Sequence, residues 1–302
     1  MNRNRSEHTG TAQTATAEEY PMTPRIETMH ESLRADLAQH AKLAVAFSGG
    51  VDSTLLLRVA HDVLGERVVA FTASSCTFPQ RELDEATAFC KEQGIEQVVF
   101  ESEELEVDGF SENPPNRCYL CKKALFDKME ELAAEQGIDD IADGTNLDDL
   151  QDYRPGRQAK DEHGVHSPLA DAGFDKQAIR TLSKDLGLAT YDKQSFACLA
   201  SRIPYGSLID RQLLTRIDKA EQYLLDQGFI QVRVRVHSDI ARIEIPVEQF
   251  PLLIEAGVRE RTAAYLESLG FRYTTLDLDG YRTGSMNRTL GQEQSEGTAP
   301  VC

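Results

Sequence analysis

The sequence predicts an α/β domain built on a parallel sheet, followed by a smaller α+β domain. Two observations predict it. As far as residue 203, short apolar runs alternate with amphipathic stretches of helical period, the pattern of strands joined by helical crossovers. After Pro204 the order changes, and the strict two-residue alternation of "IQVRVRVH" is followed closely by a second strand-like run, "IARIEI". The chain has 302 residues, enough for two domains, and 40% of them are hydrophobic, enough for a real core.

Residues 1–22 are rich in Thr, Ala, Glu and Asn without apolar periodicity, and they read as a disordered arm. Ile26, Met29, Leu33 and Leu37 then form a helical stripe. Residues 43–47 read as a buried strand, and Leu55, Leu56, Val59 and Val63 mark a helix after a glycine loop. A second strand covers 68–72, Leu83, Ala86 and Cys90 mark the next helix, and 98–100 form a third strand. A helix with Leu125, Met129 and Leu132 follows Cys121, and 138–142 lead into "DGTNLDD". Such sheets carry helices on both faces and bind ligands at the carboxyl ends of their strands. The SGG loop, the loop over 72–79 and the DGTN loop all fall there. The first domain is assigned to 23–203 and the second to 204–286. The second holds a helix (Leu213, Leu214, Ile217, Leu224), the two strands, two helical stretches and "FRYTTLDLDG"; residues 287–302 read as a flexible tail.

Composition narrows the function. There are 32 basic and 50 acidic residues, a net charge of −18, which argues against a nucleic-acid partner. No apolar run approaches the length of a membrane span and no secretory signal opens the chain, so a cytoplasmic, membrane-free protein is expected. In that setting the six cysteines are ligands, reactive thiols or core residues rather than a disulfide framework.

The stretch "AVAFSGGVDSTLLL" (44–57) places a sharp Ser-Gly-Gly turn between a buried strand and an amphipathic helix. Backbone N–H groups and the helix dipole there favour an anion, and Gly49 and Gly50 let the backbone approach phosphate closely. Ser48, Ser53 and Thr54 supply hydroxyl donors, and Asp52 suits a magnesium ion. The lysine of a G-x-x-x-x-G-K-[ST] loop is missing. Further on, "NPPNRCYLCKKALF" puts Cys118 and Cys121 in a C-x-x-C at the start of a helix. A redox pair, a zinc site completed by Cys198 with His163 or His166, and an iron–sulfur cluster held with Cys198 all match that spacing. Zinc and cluster stay open on spacing alone.

"SGGVDST" resembles the PP-loop of the ATP pyrophosphatase superfamily, with "DGTNLDD" as its usual companion. The resemblance implies an adenine-nucleotide alpha-hydrolase-like (Rossmann-like) fold and an enzyme that grips the pyrophosphate of ATP while a carboxylate or carbonyl oxygen attacks the α-phosphate. It implies ATP contacts at Ala46, Ser48, Gly49, Gly50, Asp52, Ser53, Thr54, Thr72, Gly144 and Thr145, and Mg2+ at Asp52.

"SFACLASRIPYGSLI", with "NRCYLCK", "DGTNLDDLQDYRPGRQA", "SPLADAGFDKQAIR" and "GYRTGSMN", closely resembles the LarE family across residues 26–287. These are ATP-dependent pyridinium-3,5-biscarboxylic acid mononucleotide sulfurtransferases, which build the nickel-pincer cofactor of lactate racemase and related enzymes. The resemblance implies adenylation of a substrate carboxylate, then displacement of AMP by sulfur, on each carboxylate in turn. Members with three cysteines hold a 4Fe–4S cluster whose open iron carries an extra sulfide, here through Cys118, Cys121 and Cys198. Members with one cysteine, at the position of Cys198, give up its sulfur and leave dehydroalanine. A sulfide or other sulfur donor and a homo-oligomer are further implied. An iron–sulfur tRNA thiolase and a non-enzymatic nucleotide- or cluster-binding module are the competing classes.

The substrate carries two carboxylates and a phosphate, so its pocket needs cations. Arg233, Arg235 and His237 share one face of the alternating strand, either a solvated face or, as the resemblance implies, an anion site. Ser201, Arg202 and Tyr205, beside the cysteine loop, are similar candidates. Arg117 and Arg154 are weaker ones, and Asp148 and Asp149 contact metal or ribose, or cap a helix. His30, His40 and His61 are expected on helices without partners. Cys90 reads as core, Cys76 as a bystander and Cys302 as part of the tail.

Overall fold

The structure is a computed structural model that describes residues 22–151, 155–194 and 196–282. In chain order its elements are α1 (Pro24–Leu37), β1 (Leu43–Ala46), α2 (Val51–Leu64), β2 (Val68–Ser74), α3 (Gln80–Gln93), β3 (Glu96–Glu101), α4 (Arg117–Glu135) and β4 (Asp140–Ala142). Next come α5 (Leu147–Gln151), α6 (Pro155–Glu162), α7 (Pro168–Asp171) and α8 (Lys176–Asp185). Then follow α9 (Arg211–Asp226), β5 (Arg233–His237), β6 (Ile240–Glu244), α10 (Phe250–Ile254), α11 (Val258–Ser268) and β7 (Tyr273–Leu276).

The first four strands form a parallel sheet in the order β3-β2-β1-β4. The neighbouring strands β1 and β2 are apolar on both faces because both faces are covered, whereas β3 at the edge is largely polar and exposed. Leu43, Val45, Val68 and Ala70 point into a core completed by α1, α2, α3, α7 and α8. Their neighbours Ala44, Val69 and Phe71 point the other way, onto Phe126, Met129 and Ala133 of α4. The predicted stripe of α1 is the buried one, and Thr23 caps that helix by accepting from the Ile26 N–H. By contrast α2 starts at Gly50, which has no side chain to cap it, so its first-turn N–H groups are left for a ligand.

Helix α4 begins before the cysteines, so the C-x-x-C occupies its first turn. The short helices α5, α6 and α7 carry too few turns to show a period and were not expected from the sequence.

The second sheet, in the order β5-β6-β7, joins an antiparallel hairpin to a parallel third strand reached through α10 and α11. Its core includes Leu214, Ile217 and Leu224 of α9, Val234 and Val236 of β5, and also Phe110, Leu199, Ala200 and Ile203. The segment that carries Cys198 therefore packs with the C-terminal sheet. No helix among the described residues is long and apolar enough to cross a membrane. The expected tail, Arg154 and Cys302 lie outside the described residues, as does the expected arm except Met22, which is partly buried against the first core.

Candidate active site

The loop after β1 turns back through Gly49, whose φ of +69° favours glycine. A Cβ there would also stand 3.2 Å from the Ala86 Cβ of α3. Ser48 donates its N–H to Ser53 Oγ at 3.3 Å, which closes the turn. Gly144 of the DGTN loop presses on the same turn, since a Cβ at that position would meet the Ser53 nitrogen at 2.8 Å. Two loops thus meet at the N-terminus of α2, where backbone N–H groups and the helix dipole attract an anion.

A cavity of about 470 Å³ opens there. Ala46, Ser48, Gly50, Asp52, Ser53, Gly144 and Thr145 line it. Gly49 shapes the turn, and Thr54 is buried in α2. The ATP contact expected of Thr72 is not supported by its placement. Phe71 and Ala73 of β2 face the cavity, so strand alternation turns Thr72 away, and its hydroxyl accepts from Gln97 Nε2 at 2.9 Å.

Two lysines from distant segments reach the loop that has none of its own. Lys176, at the start of α8, holds Nζ 2.5 Å from Asp52 Oδ2. Lys193 donates to the Gly49 carbonyl at 3.2 Å and pairs with Glu82 and Glu85 at 2.8 and 2.6 Å. Burial works against the Lys193 charge, but hydrogen bonds to those two carboxylates outweigh it and hold the ammonium above its usual range. Burial pushes the Asp52 carboxyl up, with Lys176 opposing. Asp52 Oδ1 is buried without a hydrogen-bond partner, a placement that fits a divalent cation. Glu104, another buried group on this wall, accepts from Ser75 and Ser102.

A second cavity, of about 270 Å³, takes in Cys118, Cys121 and Cys198. It shares a wall with the first, for Cys121, Lys122, Thr145, Phe196 and Cys198 line both. Cys198 stands at the head of the short turn Leu199–Arg202, and the Leu199 N–H donates to the Thr77 carbonyl at 2.8 Å.

Buried arginines hold that turn. Arg202, fully buried, grips both oxygens of Glu221 at 2.8 Å and donates to the Ala197 and Cys198 carbonyls and to Ser201 Oγ. Burial pushes the Glu221 carboxyl up, yet Arg202 outweighs it and holds the group below the usual carboxylate range. Arg235 donates to Glu244 and to the Ser201 carbonyl, both at 2.8 Å. Arg117, from the first turn of α4, bonds Asn113 and the Ala200 carbonyl and lies over the Tyr205 ring. Arg233 lies over the rings of Phe196, which lines both cavities, and Tyr281.

Both strand arginines are buried, which excludes the solvated-face reading of β5. Ser201 lines the cysteine cavity, whereas Arg202, Tyr205, Arg233 and Arg235 stand outside its lining. Sequence reasoning missed Phe196, Lys122, Lys176 and Lys193. Asp148 and Asp149 donate their N–H groups to Asn146 Oδ1 at the start of α5. His40 corrects the expectation that it has no partner: it lies beyond α1 with Nδ1 2.7 Å from Asp140.

Burial pushes the Cys198 thiol up, with Arg117 opposing, and the Cys121 thiol well up, which favours the protonated form of each. Among the described residues, no three His, Cys, Asp or Glu side chains converge to hold one metal ion. His163 pairs with Glu130 and His166 with Asp140, and neither lines the cysteine cavity, so a zinc clamp through either does not fit.

No protein-family model matches the chain. It is 42% identical over 265 residues to an uncharacterized protein of Synechocystis, covering 88% of this chain and 99% of that one. It is 39% identical over 270 residues to the pyridinium-3,5-bisthiocarboxylic acid mononucleotide synthase of Lactiplantibacillus plantarum, covering 89% and 97%. A weaker likeness, 25% over 166 residues, links 54% of the chain to 52% of a glutamine-hydrolyzing GMP synthase component from Methanococcus maripaludis. With near full-length likeness to a synthase of this type and its glycine loop at the head of α2, the chain belongs to the LarE family of the PP-loop superfamily.

Proposed function

We propose that this chain is an ATP-dependent sulfurtransferase that converts the carboxylates of pyridinium-3,5-biscarboxylic acid mononucleotide into thiocarboxylates, a step in building the nickel-pincer nucleotide cofactor. The shared wall carries the reading. A carboxylate activated in the glycine-loop cavity lies against the cavity that holds Cys118, Cys121 and Cys198.

The glycine loop holds the pyrophosphate of ATP, and Asp52, whose Oδ1 has no hydrogen-bond partner, is the residue that would hold an accompanying magnesium ion. A substrate carboxylate oxygen attacks the α-phosphorus, pyrophosphate leaves, and an acyl adenylate forms. Sulfur then bonds to the acyl carbon while AMP departs with the former carboxylate oxygen. Arg202 and Arg235 position the cysteine turn, and Arg233 is the strand cation we assign to the substrate's anionic groups. A small-molecule substrate suits a chain of net charge −18, in which cations cluster around the cavities.

Cys118, Cys121 and Cys198 are the residues that would hold a 4Fe–4S cluster, and such a cluster would supply sulfur at the level of sulfide. The donor set fits in kind and number, three thiols on one cavity. Burial opposes loss of the Cys198 proton, and the nearby Arg117 charge opposes that effect and favours the thiolate. The sulfur donor and a homo-oligomeric assembly belong to the same proposal. Ile230, Ile254 and Leu278, exposed on the C-terminal unit, are apolar groups such an assembly would cover.

One observation favours a second sulfur source: the described cysteines do not converge around a single metal position. On that reading the Cys198 thiolate itself attacks the acyl adenylate and AMP leaves. Loss of the Cys198 Cα proton then breaks its Cβ–Sγ bond, leaving thiocarboxylate on the substrate and dehydroalanine in the chain.

Incubation of the anaerobically purified protein with ATP, Mg2+ and the dicarboxylate mononucleotide tests the proposal. Pyrophosphate is expected only when the substrate is present, with a product in which sulfur replaces oxygen. Pyrophosphate release that ignores the substrate sinks the reading. Mass analysis of Cys198 after one turnover separates the two sulfur sources.

A further inference from the structure

Lys160 is a buried cation that the steps above leave without a task. It is 6% exposed, and its Nζ donates to Ser167 Oγ at 2.6 Å. Ser167 Oγ in turn donates to Asp143 Oδ1 at 2.8 Å, and Asp143 Oδ2 accepts from Thr145 Oγ1 at 2.6 Å. Among the described residues, no carboxylate stands within ion-pair distance of the ammonium. A buried ammonium with only a hydroxyl as partner is costly unless an anion comes to it.

Its place says where that anion sits. Gly156 and Lys160 are one turn apart on the same face of α6. A Cβ at Gly156 would meet Lys122 Cδ at 2.7 Å and the Cys118 carbonyl at 3.3 Å, so this face is pressed onto the C-x-x-C turn. Lys160 lies in the wall of the cysteine cavity, while Asp143 and Thr145, at the far end of its hydrogen-bond chain, line the ATP cavity.

We propose that Lys160 holds the oxyanion that forms when sulfur attacks the acyl adenylate, an inference that rests on the sulfurtransferase reading. In that step the C–S bond forms and the carbonyl π pair moves onto oxygen. The oxyanion then collapses, and the bond between the acyl carbon and the AMP oxygen breaks, its electron pair leaving with AMP. The ammonium keeps its proton and donates a hydrogen bond that strengthens as charge develops. Ser167 and Asp143 fix its direction. Adenylation, a displacement at phosphorus, makes no use of it.

The experiment separates the two halves of the reaction in Lys160→Met and Lys160→Arg. Exchange of labelled pyrophosphate into ATP, driven by the dicarboxylate mononucleotide, reads adenylation. Single-turnover AMP release on addition of hydrosulfide reads attack by sulfur, whatever the protein's own sulfur source. Lys160→Met is expected to slow AMP release about 100-fold, as for loss of one oxyanion donor. Exchange should stay within about threefold, and Lys160→Arg should recover part of the release rate. If the methionine variant melts lower than the parent, Ser167→Ala gives the same comparison, with the lysine kept and its hydroxyl partner removed. Unchanged AMP release, or equal loss of both halves in a normally melting variant, overturns the assignment. A parent protein without substrate-driven exchange overturns the sulfurtransferase reading instead.

Discussion

The glycine loop and the cysteine cavity share a wall but are made in opposite ways. The loop is one contiguous stretch whose working groups are backbone N–H groups and short hydroxyls, with a left-handed backbone at Gly49 and, in the loop pressed against it, no room for a Cβ at Gly144. The cysteine cavity draws side chains from 117–122, 156–160 and 196–201, held in register by buried arginines. Activation of the carboxylate therefore depends on backbone shape, and sulfur transfer on side chains that distant pairs keep in place. Each half can be broken without the other.

The largest separation is expected from Cys198→Ser. Its side chain lines both cavities but lies outside the glycine loop. Sulfur transfer should fall to background, while substrate-driven exchange of pyrophosphate into ATP survives. Loss of exchange together with sulfur transfer would show that the two halves do not separate at the shared wall. Next comes Arg202→Met, which leaves Glu221 as a buried carboxylate without its main partner. Breaking such a pair costs about 3–5 kcal/mol. Denaturant unfolding should register that loss, and a variant as stable as the parent would show that the pair does not hold the turn.

The same contrast explains what the sequence could tell. The glycine loop was legible because all of its parts lie within a few residues and the flanking strand and helix each have a clear period. The three cysteines were legible only as a set, through motifs that resemble a family, because nothing local joins Cys198 to a C-x-x-C some eighty residues earlier. Lys176 and Lys193 were not legible at all. Each is an ordinary polar residue in its own segment, and only the packing of α8 and of the segment after it brings them to Asp52 and Gly49. The alternation of β5 was readable but its burial was not, since Glu244, which accepts from Arg235, and Glu221, whose charge favours the Arg233 cation, stand on β6 and α9. The side chain of Thr72 turns from the ATP cavity by parity alone: one residue along a strand changes the face.

A smaller effect, confined to the backbone-built half, is expected from Gly144→Ala. The new Cβ would lie 2.8 Å from the Ser53 nitrogen, too close for the two loops to keep their spacing. Overpacking of this kind costs about 1–3 kcal/mol. Taken at the phosphate site, that cost raises the KM for ATP by about 5- to 150-fold, while single-turnover sulfur transfer from preformed acyl adenylate is unchanged. An unaltered KM would mean that the loop relaxes freely and that its shape is not what binds phosphate.

The mildest test reads the side-chain half in the resting protein without ATP. Burial pushes the Cys121 thiol well above its usual range and the Cys198 thiol above it, with Arg117 opposing at Cys198. A raised pKa on a thiol favours the protonated form, so near neutral pH each carries less thiolate than an ordinary cysteine, and only the thiolate is alkylated. Labelling by iodoacetamide should therefore be slow near pH 7 and climb through and beyond pH ~8.5, the ordinary thiol value, with Cys121 lagging behind Cys198. Arg117→Met removes the charge that favours the Cys198 thiolate, so the Cys198 profile should move to higher pH by more than the Cys121 profile does. Peptide mass analysis of the labelled sites follows both residues in one sample. If the two profiles shift equally, the Arg117 charge does not act on Cys198 in particular, and a Cys198 labelling rate already maximal at neutral pH would show that the cavity does not hold this thiol protonated.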